Sequence, residues 1–184
     1  MQPEIISIVE TWLHGDLERA FLGLKDYIIY RKDRSNGTDP HGGVLLAIKS
    51  CLNPSLVESS SDCEILAVDI NQSSNKFRII SAYRPGWYDV SMNRVFFNVL
   101  GSITQDIENT CVFGDFNFPN IEWDSYTASS ISENLLIQYV LENNFVKHIN
   151  EPTRGTNILD LCLSSSDHVI NQVCVHECFS TSDH

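Results

Sequence analysis

Basic side chains are scarce in this sequence: 12 Lys and Arg stand against 24 Asp and Glu, a net charge of −12 over 184 residues. That excludes a protein that coats nucleic acid by charge alone, because backbone affinity comes largely from Lys and Arg neutralising phosphates. It leaves room for a carboxylate site that acts on phosphate through a divalent cation, since a bound ion inverts the local field. The densest basic cluster is Arg31-Lys32-Asp33-Arg34, and Lys76, Arg78 and Arg84 lie near one another. The first reads as a solvated turn in preference to a phosphate contact.

No CxxC pair occurs among the six cysteines. Cys174-Val175-His176-Glu177-Cys178 has the look of half a zinc site, but no second half matches it. Cys111 and Cys162 sit inside apolar runs, where a free thiol behaves as a small hydrophobe. No apolar run approaches the roughly 20 residues of a membrane span. Met1-Gln2-Pro3-Glu4 lacks the basic and apolar regions of a signal peptide. The expectation is an intracellular protein of nucleus or cytoplasm with no membrane partner. Repeats and low-complexity tracts are also missing, and the length fits one domain over residues 1–184.

What remains is a chain of short apolar segments. Ile5 to Val9, Tyr27 to Tyr30 and Val44 to Ile48 read as strands, the last fed by a turn-rich loop ending on Gly42-Gly43. Glu64 to Ile70 and Phe77 to Tyr83 form a hairpin-like pair. Val95, Val99, Ile103 and Ile107, with Phe96 and Leu100 beside them, predict an amphipathic helix capped near Ser91. Thr110 to Phe113 is a strand opening into Gly114-Asp115. A second helix starts at Ser132-Glu133-Asn134, with Leu135, Leu136, Tyr139 and Val140 as its apolar face. Phe145-Val146, Ile158 to Leu163 and Val169 to Val175 read as further strands. Helices between strands imply a mixed α/β domain.

The strongest local signal is Gly114-Asp115-Phe116-Asn117-Phe118-Pro119-Asn120, directly after an apolar strand. Glycine permits a sharp turn there. In an extended chain Asp115 and Asn117 point to one side, a carboxylate beside a carboxamide that suits activating water next to a phosphate. The plain alternative is an Asx-type turn. Glu10 ends the first strand and is a natural magnesium ligand; a solvent-facing glutamate is its alternative. Tyr83-Arg84-Pro85 closes another strand, with simple aromatic packing as the alternative, and Ser182-Asp183-His184 ends the chain. Sites on α/β scaffolds gather at such strand-to-loop transitions.

Six motifs in order carry a resemblance. They are Glu10-Thr11-Trp12-Leu13, Gly42-Gly43-Val44, Ser81-Ala82-Tyr83-Arg84-Pro85, Gly114-Asp115-Phe116-Asn117, Arg154-Gly155-Thr156-Asn157-Ile158-Leu159-Asp160-Leu161 and Ser182-Asp183-His184. Together they resemble the endonuclease/exonuclease/phosphatase superfamily. The segments Phe118 to Trp123 and Arg154 to Leu161 draw the likeness to endonuclease domains of non-LTR (LINE-type, jockey- or CR1-like) retrotransposons. The resemblance implies a four-layered α/β sandwich, two facing mixed β-sheets flanked by helices. It implies a metal-dependent endonuclease that nicks DNA, using magnesium with manganese as a substitute, and a reverse transcriptase domain in the same polyprotein. Glu10 and Asp183 would bind the metal. Asp115 would activate water, Asn117 would position water and phosphate, and Tyr83 would contact the scissile phosphate. His184 would stabilise developing charge, with Asp160 orienting its imidazole. Arg84, Arg154, Thr156 and Asn157 are assigned to the substrate, a solvated loop charge being the alternative for Arg154.

The family opens with an earlier strand bearing an asparagine and continues past Ser-Asp-His into a closing strand. The expectation is therefore a domain lacking a first and a last strand, weakly active by itself. Two rival readings stand beside the nuclease. One is a relic that keeps the fold without turnover. The other is a superfamily phosphoesterase acting on inositol phosphates or sphingomyelin.

Overall fold

Val44–Lys49 (β3) is apolar at successive positions rather than alternate ones, which suits a strand covered on both faces. It accordingly lies in the middle of a three-stranded antiparallel sheet, between Ile5–Val9 (β1) and Tyr27–Lys32 (β2). The computed structural model describes residues 2–15, 23–34, 41–57, 63–72, 75–105 and 107–177.

A second sheet has six strands. They are Pro54–Val57 (β4), Glu64–Gln72 (β5), Asn75–Tyr83 (β6), Asn109–Asp115 (β7), Val146–Lys147 (β8) and Asp160–Ser164 (β9), in the order β4-β5-β6-β7-β9-β8. Among the described residues only β6 and β7 run parallel. That pairing needs a crossover, and Val90–Thr104 (α1) supplies it. Ile131–Glu142 (α2) lies in the connection between β7 and β8.

Alternation along β5 divides the molecule into layers. Ile65 and Ala67 face the helices, joining Ile80, Ala82, Val112, Leu161 and Leu163 beneath Phe96, Leu100, Leu136 and Val140. Leu66, Val68 and Ile70 face the small sheet and meet Val44, Leu46 and Ile48. The far face of the small sheet is apolar too, with Tyr27, Leu45 and Ala47 packed by Ile6, Leu13 and Leu24. This is the expected α/β sandwich of two facing sheets, with both described helices outside the larger one. The larger sheet is mixed, and the smaller is antiparallel throughout.

Several local expectations change. The cap of α1 is Asp89, whose Oδ1 accepts from the Met92 N–H at 2.8 Å, rather than Ser91. Its buried stripe is Asn93, Phe96, Phe97, Leu100 and Ile103, while Val95 is 44% exposed. The two large rings outweigh valines in burial, so they set the helix rotation. Ser130 caps α2 through a capping box with Glu133. Arg31 and Lys32 belong to β2, not to a turn. Val169 to Val175 forms no strand, and a Val169 N–H to Ser166 carbonyl turn lies at its start. Edge strand β4 has no clear sequence signature, because it opens on proline and leaves Leu56 exposed. No helix among the described residues is long and apolar enough to cross a membrane.

Candidate functional site

The parallel register of β6 and β7 sets Tyr83 beside Asp115, and the antiparallel register of β9 sets Asp115 beside Asp160. Three candidate residues thus lie in one line across the end of the large sheet. Gly114 permits the approach. At φ +155°, a Cβ there would fall 1.7 Å from the Ala82 carbonyl oxygen. Glu10 arrives from the small sheet, just beyond β1, and its Oε1 accepts a hydrogen bond from the Tyr83 hydroxyl. That bond joins the two sheets at the site.

Asp115 is 3% exposed. Asn117 sits at φ 51°, and its backbone N–H donates to Asp115 Oδ1 at 2.8 Å. Its side-chain Nδ2 donates to Asp115 Oδ2 at 2.8 Å and to the Arg84 carbonyl at 3.0 Å. The Asx turn and the paired carboxylate–carboxamide are therefore one structure. A left-handed turn, rather than an extended strand, aims both side chains together.

Burial, then the bond to Glu10, pushes the Tyr83 hydroxyl well above its ordinary pKa, so it stays a proton donor at neutral pH. Arg84 is also buried, and its place corrects the expectation of a substrate contact. Its Nε donates to Asn93 Oδ1 at 2.8 Å, and its terminal nitrogens donate to the carbonyls of Phe116, Asn117 and Tyr88. The guanidinium stacks 3.9 Å from the Phe118 ring centroid. Burial pushes its pKa down to about 10, which leaves it cationic. Arg84 braces the loop that carries Asn117.

Asp160 is held through its backbone: Thr153 Oγ1 accepts from the N–H groups of Leu159 and Asp160, both at 3.0 Å. Arg154 and Asn157 exchange backbone hydrogen bonds across a tight turn with Gly155 at φ 60°. Arg154 and Thr156 are exposed there, and Asn157 is half-buried. A cavity of about 520 Å³ opens beside Asp160 between the sheets, bounded by Ser7, Val9, Gly114 and Ile170.

A second network lay beyond sequence reasoning. Glu64 is 7% exposed; its Oε1 accepts from Arg34 Nε at 2.7 Å and its Oε2 from the Gly43 N–H. The Gly42 carbonyl in turn accepts from the Trp12 N–H at 2.9 Å, and the Gly43 carbonyl from Thr11. Glu64 thereby ties down the loop that supports Glu10. The visible signal was an acidic residue opening an apolar strand; its partners come from distant segments.

Among the described residues no group of three or more His, Cys, Asp and Glu could hold a metal ion. Glu10, exposed at a strand end, is the carboxylate this part of the site offers, and magnesium usually takes only one or two carboxylates and keeps waters. Ser182, Asp183, His184 and Cys178 lie outside the described residues.

The family described as Endonuclease-reverse transcriptase matches residues 77–184. No curated protein matches the sequence. Among solved structures, the endonuclease domain of TRAS1, a telomere-specific non-LTR retrotransposon, is similar with TM-score 0.64 and 14% identity, covering 85% of this chain and 75% of that one. A 3′-5′ exonuclease (NExo) from Neisseria meningitidis gives 0.63 and 14%, covering 88% and 76%. The human Nocturnin catalytic domain with bound sulfate gives 0.60 and 16%, covering 89% and 69%. At such identities the structural likenesses speak for the fold, while the family match covers more than half of the sequence. The chain belongs to the endonuclease-reverse transcriptase family.

Proposed function

We propose that this chain is a divalent-cation-dependent phosphodiesterase that nicks DNA, the cleavage a non-LTR retrotransposon makes at its target. The observation that carries the reading is the line Tyr83–Asp115–Asp160 across one sheet end, joined to Glu10 of the other sheet through the Tyr83 hydroxyl. Membership of the family and likeness to the TRAS1 endonuclease domain support it.

Glu10, with Asp183, would hold magnesium or manganese, and the ion would supply a Lewis acid and a charge clamp for the phosphoryl oxygens. The chain's own groups do the rest. Asp115, held by both N–H groups of Asn117, presents a fixed carboxylate to orient and deprotonate the attacking water. Tyr83 keeps its proton, which its hydroxyl donates to Glu10 in the free site and would turn to the scissile phosphate once Glu10 is engaged by the ion. Asn117 fixes Asp115, and with its Nδ2 engaged by Asp115 and the Arg84 carbonyl its carboxamide oxygen is left to accept from the water positioned at the phosphate. His184 stabilises the charge that develops, with Asp160 setting its tautomer. Arg154, Thr156 and Asn157, on one tight turn, contact the DNA backbone. A reverse transcriptase in the same polyprotein is the expected partner, and a DNA substrate puts the work in nucleus or cytoplasm.

Relaxation of supercoiled plasmid in magnesium tests this. Asp115→Ala should lower the nicking rate by about 10²- to 10⁴-fold, the usual worth of one positioned acid or base. EDTA should abolish it, and Glu10→Gln should raise the magnesium requirement. Wild-type protein that fails to nick, or nicks no faster than Asp115→Ala, overturns the reading.

A further inference from the structure

Two of the three tryptophans stand in solvent on segments that carry this site: Trp12 is 52% exposed and Trp87 is 61% exposed, while Trp123 is buried. Both are tied to the residues already described. Trp12 follows Glu10 by two positions. Its backbone is fixed at φ 52° by the bond to Gly42, and its ring meets His41 edge-on at 4.7 Å. Trp87 follows Gly86, where an added Cβ would lie 3.9 Å from Asn117 Cβ, and its ring meets Tyr88 edge-on at 4.9 Å. One tryptophan thus comes from the Glu10 side and the other from the Asn117 side.

The charges narrow what these rings can receive. Several of the twelve basic side chains are bonded to groups of the protein itself: Arg34 with Glu64, Arg78 and the surface Lys76 with Asp69, Arg31 with Asp33, and Arg84 with its carbonyls. With a net charge of −12, phosphate neutralisation contributes little to holding DNA. Stacking does not depend on cations, and every base has a face to stack.

We propose that Trp12 and Trp87 are base-stacking platforms flanking the phosphate site, and that the preferred substrate is DNA with unstacked nucleotides at the cleavage point rather than intact duplex. The proposal rests on the nuclease reading. Stacked bases would set the strand's register while Asp115 and Glu10 address the phosphate between them.

Binding without turnover tests it. The 184-residue chain in EDTA is titrated into fluorescently labelled oligonucleotides — single-stranded, bulged duplex and intact duplex — and Kd is read from anisotropy. Wild type should prefer the first two. Trp12→Ala and Trp87→Ala should each weaken binding to unstacked DNA about tenfold or more, the usual worth of one base–aromatic stack. Trp12→Phe and Trp87→Phe should retain most of it, with unfolding midpoints unchanged. The alanine loss should persist as salt is raised. Alanine variants that bind unstacked DNA like wild type, or a wild type that favours intact duplex, overturn the proposal while plasmid nicking dependent on Asp115 keeps the nuclease reading standing. No nicking by wild type removes that reading separately.

Discussion

Arg84 brings a full positive charge into the interior and is met by Asn93, Phe116, Asn117, Tyr88 and the face of Phe118. Lysine has three donors on one nitrogen and no planar fork, so it cannot serve that spread of acceptors. Arg84→Lys should lower the unfolding free energy by about 3 kcal/mol, as breaking a buried charge network does. Urea denaturation measures it, and a loss under about 1 kcal/mol would show that the guanidinium braces nothing. The residue also marks where sequence stops being legible. Asp115, Asn117, Tyr83 and Glu10 each occupy a recognisable motif at a strand end, and the fold brings them together. The same motif names Arg84 but not the direction of its side chain. That direction is set by Asn93 on α1 and by the loop carbonyls, which meet it only in the folded chain. Glu64 was illegible for the same reason, since Arg34 and Gly43 reach it from other segments.

Strands with unbroken or alternating apolar patterns were the legible elements, and β1, β3, β5 and β6 all form where those patterns lie. Elements decided by competition were not. The rotation of α1 depends on how Phe96 and Phe97 fill the space over the large sheet, which periodicity alone leaves open. Strand β4 has too few residues to show a period. The junction of β6 and β7 is legible only in part: the sequence shows Gly114 as a turn residue, whereas its conformation also lets two parallel strands close up. Gly114→Ala puts a methyl group into the Ala82 carbonyl, which is backbone and cannot swing aside. Strand separation at that point should cost more than about 3 kcal/mol and pull Tyr83 away from Asp115. Thermal unfolding followed by near-UV circular dichroism should show a large loss of Tm. A variant that melts like wild type would mean the strands part there easily.

Across the molecule, the acidic excess and the buried carboxylates act in opposite directions as pH changes. Self-repulsion at a net charge of −12 weakens the compact state at neutral pH, and protonation or added salt relieves it. Asp69 pulls the other way. It is 5% exposed, paired to Arg78 at 2.7 Å and 2.9 Å and to Lys76 at 2.7 Å. Burial is the largest single influence and raises its pKa, but the two cations together hold it below the ordinary 3.8. Glu133, buried too, is likewise held below 4.5 once its hydrogen bonds from Ser130 and Asn120 outweigh burial. A carboxyl depressed in the folded state binds fewer protons than in the unfolded chain. Its stabilisation is therefore complete above the unfolded pKa and lost as pH falls through the folded one. Thermal melts from pH 7 to pH 5 should hold steady or rise as repulsion fades, then fall steeply below about pH 4. Salt at pH 7 should raise Tm, because the Asp69 pairs are sheltered and little screened. Asp69→Asn separates the two effects. It should lower Tm at pH 7, with the gap to wild type narrowing below pH 4 as Asp69 protonates in wild type. A gap that stays constant down to the most acid melt would show that the Asp69 charge has no part in the acid limb.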